Sequence, residues 1–321
     1  MSCPHWEKAL RTNSPVDAIL ISPNLCTMRI EHSYDKLTGG RWIKGNLHTH
    51  TTVSDGECPR QQTVDAFADR GYGFLAITDH DVLTSKKDLQ KLESHGLALL
   101  PANEVSANGV HMLHIGARTR VKPLADRQAV ITAVNADAGS LLIVNHPNWF
   151  AQFDHCPHNL LQEWQGYAGI EIYNGVIEIL EGSPLATDHW DRLLSAGRRV
   201  WGFANDDVHK LAHIGIAYNV AYVNQQTPDA VLDALRAGRF YASTGVTISQ
   251  IIVDAGHTPR IRVAAPDADR IIMYGKDQRR LAFCDGQSME TPYPPAEPYV
   301  RFECLGRGGR CAWTQPFFKA E

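Results

Sequence analysis

The sequence predicts an α/β barrel over residues 41–245, a small β-sandwich over 246–321 and a β-containing extension over 1–40. Two observations carry the barrel. From residue 46 onward short apolar runs alternate with longer stretches of helical spacing, and such alternation builds parallel strands joined by helical crossovers. The helical stretches also end at glycine, as helix C-termini often do. A third observation carries the sandwich. After Ala-Ser-Thr-Gly at 242–245 the chain turns into short β-rich pieces separated by Gly, Pro and Asp, with no helical stretch.

In chain order, the extension holds one β-like piece, AILISPNLCTMRIEHSY, whose partner the sequence does not name. Buried strands are expected at FLAIT (74–78), ALLPANEV (98–105), SLLIVNHP (140–147), GIEIYNG (169–175) and RVWGFAND (199–206). Helices are expected in PRQQTVDAFADRG (59–71), DRQAVITAVNADAG (126–139), ATDHWDRLLSAG (186–197) and TPDAVLDALRAG (227–238). TISQIIVDAG, RIRVAAP, RIIMYG, YVRFECLG and RCAWTQPFF supply the sandwich strands. There is no internal repeat.

With 44% hydrophobic and 21% charged residues and a net charge of −4, the composition is that of a globular protein without a global basic footprint for nucleic acid. The N-terminal MSCPHWEKALRTNSP lacks the apolar core of a secretory signal, and no later run reaches the length of a membrane span, so a cytoplasmic location is expected. Seven scattered cysteines without a Cys-x-x-Cys pair suit reduced thiols and exclude a zinc ribbon.

The fifteen histidines say more. In GNLHTHTTVSDG (45–56) an extended backbone points His48 and His50 to the same face, because side chains alternate along a strand. The other expected strands end in comparable residues: His80, Glu104, His146, and Asp207 with His209, while Asp55 follows the first. In a parallel barrel these ends meet at one mouth. Buried unpaired charge is strongly unfavourable, so a cluster of imidazoles and carboxylates points to divalent ions such as zinc, manganese or iron. Two ions bridged by a carboxylate can stabilise both the attacking and the leaving oxygen of a phosphoryl displacement.

The sequence closely resembles the PHP (polymerase and histidinol phosphatase) family of metal-dependent hydrolases. The resemblance rests on NLHTHTTVSDG (46–56), ITDHD (77–81), the glutamate of ANEVS (102–106), NHP (145–147) and DDVH (206–209), in the family's order across about residues 45–210. The stretch from ALRAGRFYASTG to AWTQPFF resembles the branch that includes CehA/McbA-like proteins, where a β-sandwich follows the barrel. The resemblance implies a distorted (β/α)7 TIM-like barrel holding two or three divalent ions. Carried onto this chain, it implies that His48, His50, Glu104 and Asp207 hold the first ion, and that Glu104 bridges to a second completed by His146 and a histidine of VHMLHIG. Asp55, His80 and His209 would form a third position. In VHMLHIG the ligand is either His111 or His114, which face opposite sides of a strand; the spacing from Glu104 and Gly116 suits His111 in this branch and leaves His114 packed. The Asp-x-His spacing of Asn205-Asp206-Asp207-Val208-His209 selects Asp207, leaving Asp206 as a supporting or general-acid residue.

The expected activity is phosphoester hydrolysis of a small molecule by a metal-bound hydroxide. His155, in the loop PNWFAQFDHCPHN (147–159), is the first choice for the acid or a substrate contact, with Asp154 and His158 beside it. Asn174 is expected to support the ligands, Glu171 to be structural, Trp149 and Phe150 to line a pocket or pack, and Arg236 and Arg239 to be solvated or to reach a phosphate. The same centre could instead hydrolyse a carbamate, amide or ester, act on short oligonucleotides, or persist as a silent metal-stabilised scaffold. Neither long nucleic acid nor a membrane is an expected partner.

Overall fold

The computed structural model describes residues 28–320 other than Lys36. The N-terminal segment read for a leader, and most of the β-like piece after it, lie outside these residues. The described end of that piece does have a partner: the strand Ile30–Glu31 pairs antiparallel with Phe317–Lys319.

The architecture is α/β with mixed sheets. One five-stranded sheet takes Ala102–Val105, Met112–Ile115, Leu141–Val144, Gly169–Asn174 and Trp201–Asn205 in chain order. Its last three strands are parallel, as expected, and its first three are antiparallel. The link between Val105 and Met112 is a short loop, and a parallel crossover needs a dozen residues or more. An eleven-stranded sheet contains the parallel set Arg41–Asn46, Phe74–Ala76 and Ala98–Leu100. Arg41–Asn46 continues it antiparallel through Tyr218–Val223 and Phe240–Ser243. Thus the run ALLPANEV, which reads as one strand, is two strands in different sheets. Pro101 stands between them; its missing N–H ends the ladder, and its carbonyl accepts the N–H groups of Gly116 and Ala117. At the site the sheets meet through isolated parallel bridges, Thr49 with Val208 and His80 with Glu104.

The four expected helical stretches contain helices Arg60–Asp69, Arg127–Ala136, Thr187–Ser195 and Pro228–Arg236. Asp126 and Thr227 cap two of them by accepting the N–H groups of Ala129 and Ala230. Each helix lays its apolar residues on a sheet: Trp190, Leu193 and Leu194 join one buried cluster, and Val231, Leu232 and Leu235 join another with Phe203 and Phe240. That packing holds the strand ends in place.

Beyond residue 245, Gln250–Asp254, Arg260–Ala264 and Ser288–Pro292 form a separate antiparallel sheet. Its Ile251, Ile261 and Val263 share an apolar cluster with Ile271, Met273 and Phe302 of the strands Ala268–Gly275 and Tyr299–Gly306. Cys311–Thr314 pairs with Phe240–Ser243, so the ladder runs through from one part of the chain to the other. Gln315 extends that join by hydrogen-bonding both the N–H and the carbonyl of Gly202. Among the described residues no helix is long and apolar enough to cross a membrane. Cys58, Cys156, Cys284, Cys304 and Cys311 are free thiols.

Candidate metal centre

The first strand delivers His48 and His50, and the backbone beyond it is pinned to the last: the N–H of His50 donates to the Val208 carbonyl at 2.8 Å, and that of Val208 to the His48 carbonyl at 3.2 Å. The chain then turns tightly to present Asp55. A Cβ on Gly56 would fall 2.5 Å from the His50 carbonyl, so this turn requires glycine. Buried Asp79 fixes the turn by accepting from the N–H and hydroxyl of Thr51 and from the Ser54 hydroxyl. Asp207 and His146 both hold left-handed backbone, with φ of +56° and +26°, strain that persists where the surroundings impose it and that concentrates at functional sites.

Glu104 lies at the centre, fully buried. Its Oε1 is 3.2 Å from His48 Nε2, 3.2 Å from His111 Nδ1 and 3.7 Å from His146 Nε2. Its Oε2 is 2.7 Å from His80 Nδ1 and 3.6 Å from His50 Nε2. Asp207 Oδ1 is 3.2 Å from both His48 Nε2 and His50 Nε2. Half-exposed Asp55 faces His80 at 3.4 Å and His209 at 3.3 Å. Ligand atoms therefore converge in overlapping groups: His48, His50 and Asp207; His48, Glu104 and His146; His80, Glu104 and His111; and His50, Asp55, His80 and His209.

Divalent ions fit this set. Buried His48 Nε2, His50 Nε2, His80 Nδ1, Glu104 Oε2 and Asp207 Oδ1 have no hydrogen-bond partner, although almost all buried polar atoms in proteins do. They are the atoms that face one another. Burial opposes ionisation of Glu104, yet His48 and His111 hold its pKa well below the usual carboxylate range. Burial likewise opposes a proton on His48, but Asp207, Glu171 and Glu104 lift its pKa well above the ordinary imidazole value. Carboxylates kept ionised among imidazoles of suitable orientation are what a cation requires, since binding displaces the imidazole protons.

A supporting layer orients the ligands. Glu171 accepts from His48 Nδ1 at 2.8 Å, the His146 N–H at 2.9 Å, Asn174 Nδ2 at 2.8 Å and Asn205 Nδ2 at 2.9 Å. It thereby fixes the His48 proton on Nδ1 and turns Nε2 toward the cluster. Asn145 donates to Glu104, and Asn174 also donates to Asp207. The sequence reading assigned Asn174 this kind of role but took Glu171 as structural. The signal for Glu171 was there: strand alternation turns it toward the same interior as His48.

The fold matches a known architecture. A two-domain protein of Bacteroides vulgatus, described as containing a predicted PHP-like metal-dependent phosphoesterase, superposes with a TM-score of 0.52 at 15% identity, over 84% of this chain and 92% of that one. The fold is PHP-like. PsfC of Pseudomonas syringae superposes with a TM-score of 0.43 at 13% identity, over 60% of this chain and 87% of that one. In sequence, the phosphoribosyl 1,2-cyclic phosphate 1,2-diphosphodiesterase of Eggerthella lenta is 33% identical over 118 residues, 34% of this chain and 40% of that protein. This match spans two fifths of the relative's length. No family model matches the chain.

Within the PHP-like fold, His48, His50, Asp55, His80, Glu104, His111, His146, Asp207 and His209 come together. His114 lies apart, buried and nearest to Asp137 at 3.6 Å. Two residues were expected near the chemistry, Asp206 as a supporting or general-acid residue and His155 as the acid or a substrate contact. Asp206 points away from the histidines; its carboxylate accepts from Asn46, Tyr72, Gly215 and Ala217, and burial pushes its pKa up to about 7. That position suits support of the strand ends and gives no route to a leaving group. His155 does lie beside His111 and His146, but its Nε2 accepts the His111 N–H at 3.0 Å. Burial brings its pKa down to about 2. His111, His146 and His155 together form a further group able to hold an ion. Asp154 is exposed. His158 pairs with His189, which in turn contacts Asn148, so this histidine serves the packing of the loop. Arg236 bonds the Gly139 carbonyl and Arg239 pairs with Asp233; neither lines the site.

If Glu171 orients His48 as argued, Glu171→Gln should lower metal affinity about 10–100-fold, the usual effect of losing such a partner. Metal titration by calorimetry measures this, and wild-type affinity in the variant would return Glu171 to a purely structural role.

Proposed function

We propose that this chain is a metal-dependent phosphoesterase acting on a small molecule. The observation that carries the reading is Glu104, whose two oxygens face separate sets of imidazoles, as a carboxylate bridging two ions would. His48, His50 and Asp207 would complete the first position, His111 and His146 the second with His155 alongside, and Asp55, His80 and His209 the third. Manganese, zinc and iron all suit such imidazole and carboxylate donors. When bound, the ions would supply Lewis acidity and an activated water at neutral pH.

The chain's own contribution is positional. Glu171 holds the His48 tautomer, Asp79 fixes the turn that carries Asp55, and the left-handed Asp207 directs its carboxylate inward. Asp206 is kept as a supporting residue, and residues 41–245 and 246–321 are read as a barrel and a β-sandwich like those of the CehA/McbA-like branch. The name of the Eggerthella lenta relative describes phosphodiester cleavage, which supports phosphorus as the target. One observation favours a second reading, hydrolysis of a carbamate, amide or ester: the described residues lining the cleft include neither lysine nor arginine to meet a phosphate.

The deciding experiment is elemental analysis of purified protein combined with turnover of phosphomonoesters, phosphodiesters and carboxylic esters, with added manganese and with chelator. Two or three ions and chelator-sensitive phosphoester turnover are expected. Metal-loaded protein active only on carbonyl substrates would move the assignment to the second reading.

A further inference from the structure

The cleft above the cluster is small, about 230 Å³, and its lining divides sharply. Every polar side chain on it belongs to the metal-ligand set, and every other lining residue is apolar: Trp149, Val176, Ile177 and Leu180. Two segments build this wall. Trp149 opens the loop after His146 and lies 5.0 Å from the His146 ring, centre to centre. Val176, Ile177 and Leu180 come from the turn that follows the strand Gly169–Asn174. The segments are joined by a bridge between Trp149 and Gly182 and by the Ser183 N–H donating to the Asn148 carbonyl, so the wall is one built surface. Its outer edge stays apolar: Phe150 stacks on Trp149 at 4.3 Å and is 40% exposed, while Leu180 is 50% exposed. An exposed large apolar patch beside a cluster of polar ligands is a feature that calls for an occupant.

We infer that the part of the substrate that does not react is an apolar group, aromatic or branched aliphatic, seated against Trp149, Ile177 and Leu180. This deepens the hydrolase reading above and rests on it. A ribosyl, glyceryl or nucleotide group would bring several hydroxyls or charge against a wall whose one side-chain donor is the Trp149 indole N–H, and each desolvated polar group left unpaired is penalised. An apolar group meets the opposite situation and gains by leaving water. In the phosphoester case, the bond from phosphorus to the alkoxide breaks, water supplies the new oxygen, and the alkoxide departs as the alcohol carrying one proton of that water.

The test compares benzyl phosphate with glycerol 3-phosphate on the metal-loaded full chain, since both leave as primary alkoxides and differ mainly in polarity. The benzyl ester should show kcat/KM at least about tenfold higher, the size of effect an apolar contact of this kind supplies. Leu180→Gln, at an exposed position that tolerates polarity, should narrow that ratio. Equal rates, or a preference for the glyceryl ester, would overturn the inference while leaving the phosphoesterase reading intact. If neither ester turns over, phosphomonoester hydrolysis is removed from the reading and the pocket is judged separately, by calorimetric binding of 4-tert-butylphenol to wild type and to Leu180→Gln with and without metal. Binding that weakens in the variant upholds the apolar subsite, and no binding to either protein removes it.

Discussion

Replacing Glu104 with alanine should strip at least two ions from the protein and lower turnover by at least about a thousandfold, equivalent to ~4 kcal/mol of barrier. The expectation follows from where the two oxygens point. Oε1 faces His48, His111 and His146, and Oε2 faces His50 and His80, so one side chain serves more than one position. Its removal also leaves several imidazoles close together without the anion that balances them. Asp55 stands at the rim, half exposed, and the imidazoles it faces are those of His50, His80 and His209. Asp55→Ala should therefore cost a single ion. Elemental analysis of the two variants beside wild type separates the cases, and a full metal complement in Glu104→Ala would remove the bridging role.

The largest expected effect on stability is remote from the metal ligands. Arg301 is fully buried and grips Asp191 with two nitrogens, Nε to Oδ1 at 2.8 Å and Nη2 to Oδ2 at 2.5 Å. Its third nitrogen lies 3.5 Å from Glu303, and its plane sits over Trp190 and Tyr274. Tyr299 also donates to Asp191. Arg301→Ala leaves the Asp191 carboxylate buried without its cation, a change that typically destabilises by about 3–5 kcal/mol. Urea unfolding measures it. The double replacement Arg301→Met with Asp191→Leu should recover most of the loss, because the penalty comes from the abandoned charge. A loss below about 1 kcal/mol in Arg301→Ala would mean that water reaches Asp191 and that the pair is not a buried one. Asp191 sits on the helix Thr187–Ser195, whose His189 bonds Asn148 beside Trp149. The single variant should accordingly disturb the cleft wall as well as the melting curve.

The ligand set was legible because its signal is local and redundant. His48 and His50 lie two apart, which fixes their common face from strand geometry alone, and His80, Glu104 and His146 each follow an unmistakable apolar run. The hairpin at Met112–Ile115 was hidden because an apolar run states burial and says nothing of direction. The break at Pro101 was visible as a residue, but its consequence, two strands in two sheets, depends on where Ala117 and Gly116 come to rest. Glu171 illustrates a different limit. Its importance lies in four donors, three of them from segments other than its own strand, and no single stretch of sequence contains them. Asp206 and Asp207 are adjacent and chemically identical, yet Asp207 turns into the cluster and Asp206 into a cage of donors; spacing selects Asp207, while the cage itself appears only in three dimensions.

The position of the strand Arg41–Asn46, between Phe74–Ala76 and Tyr218–Val223, also bears on how the protein is made. His48 and His50 leave the ribosome more than a hundred residues before the sheet edge that flanks them and the Asp207 carboxylate that faces them. Contacts so distant in sequence form slowly and late. During synthesis the histidine pair therefore precedes the geometry that would discriminate among metals, and only the folded chain brings Asp207 to it.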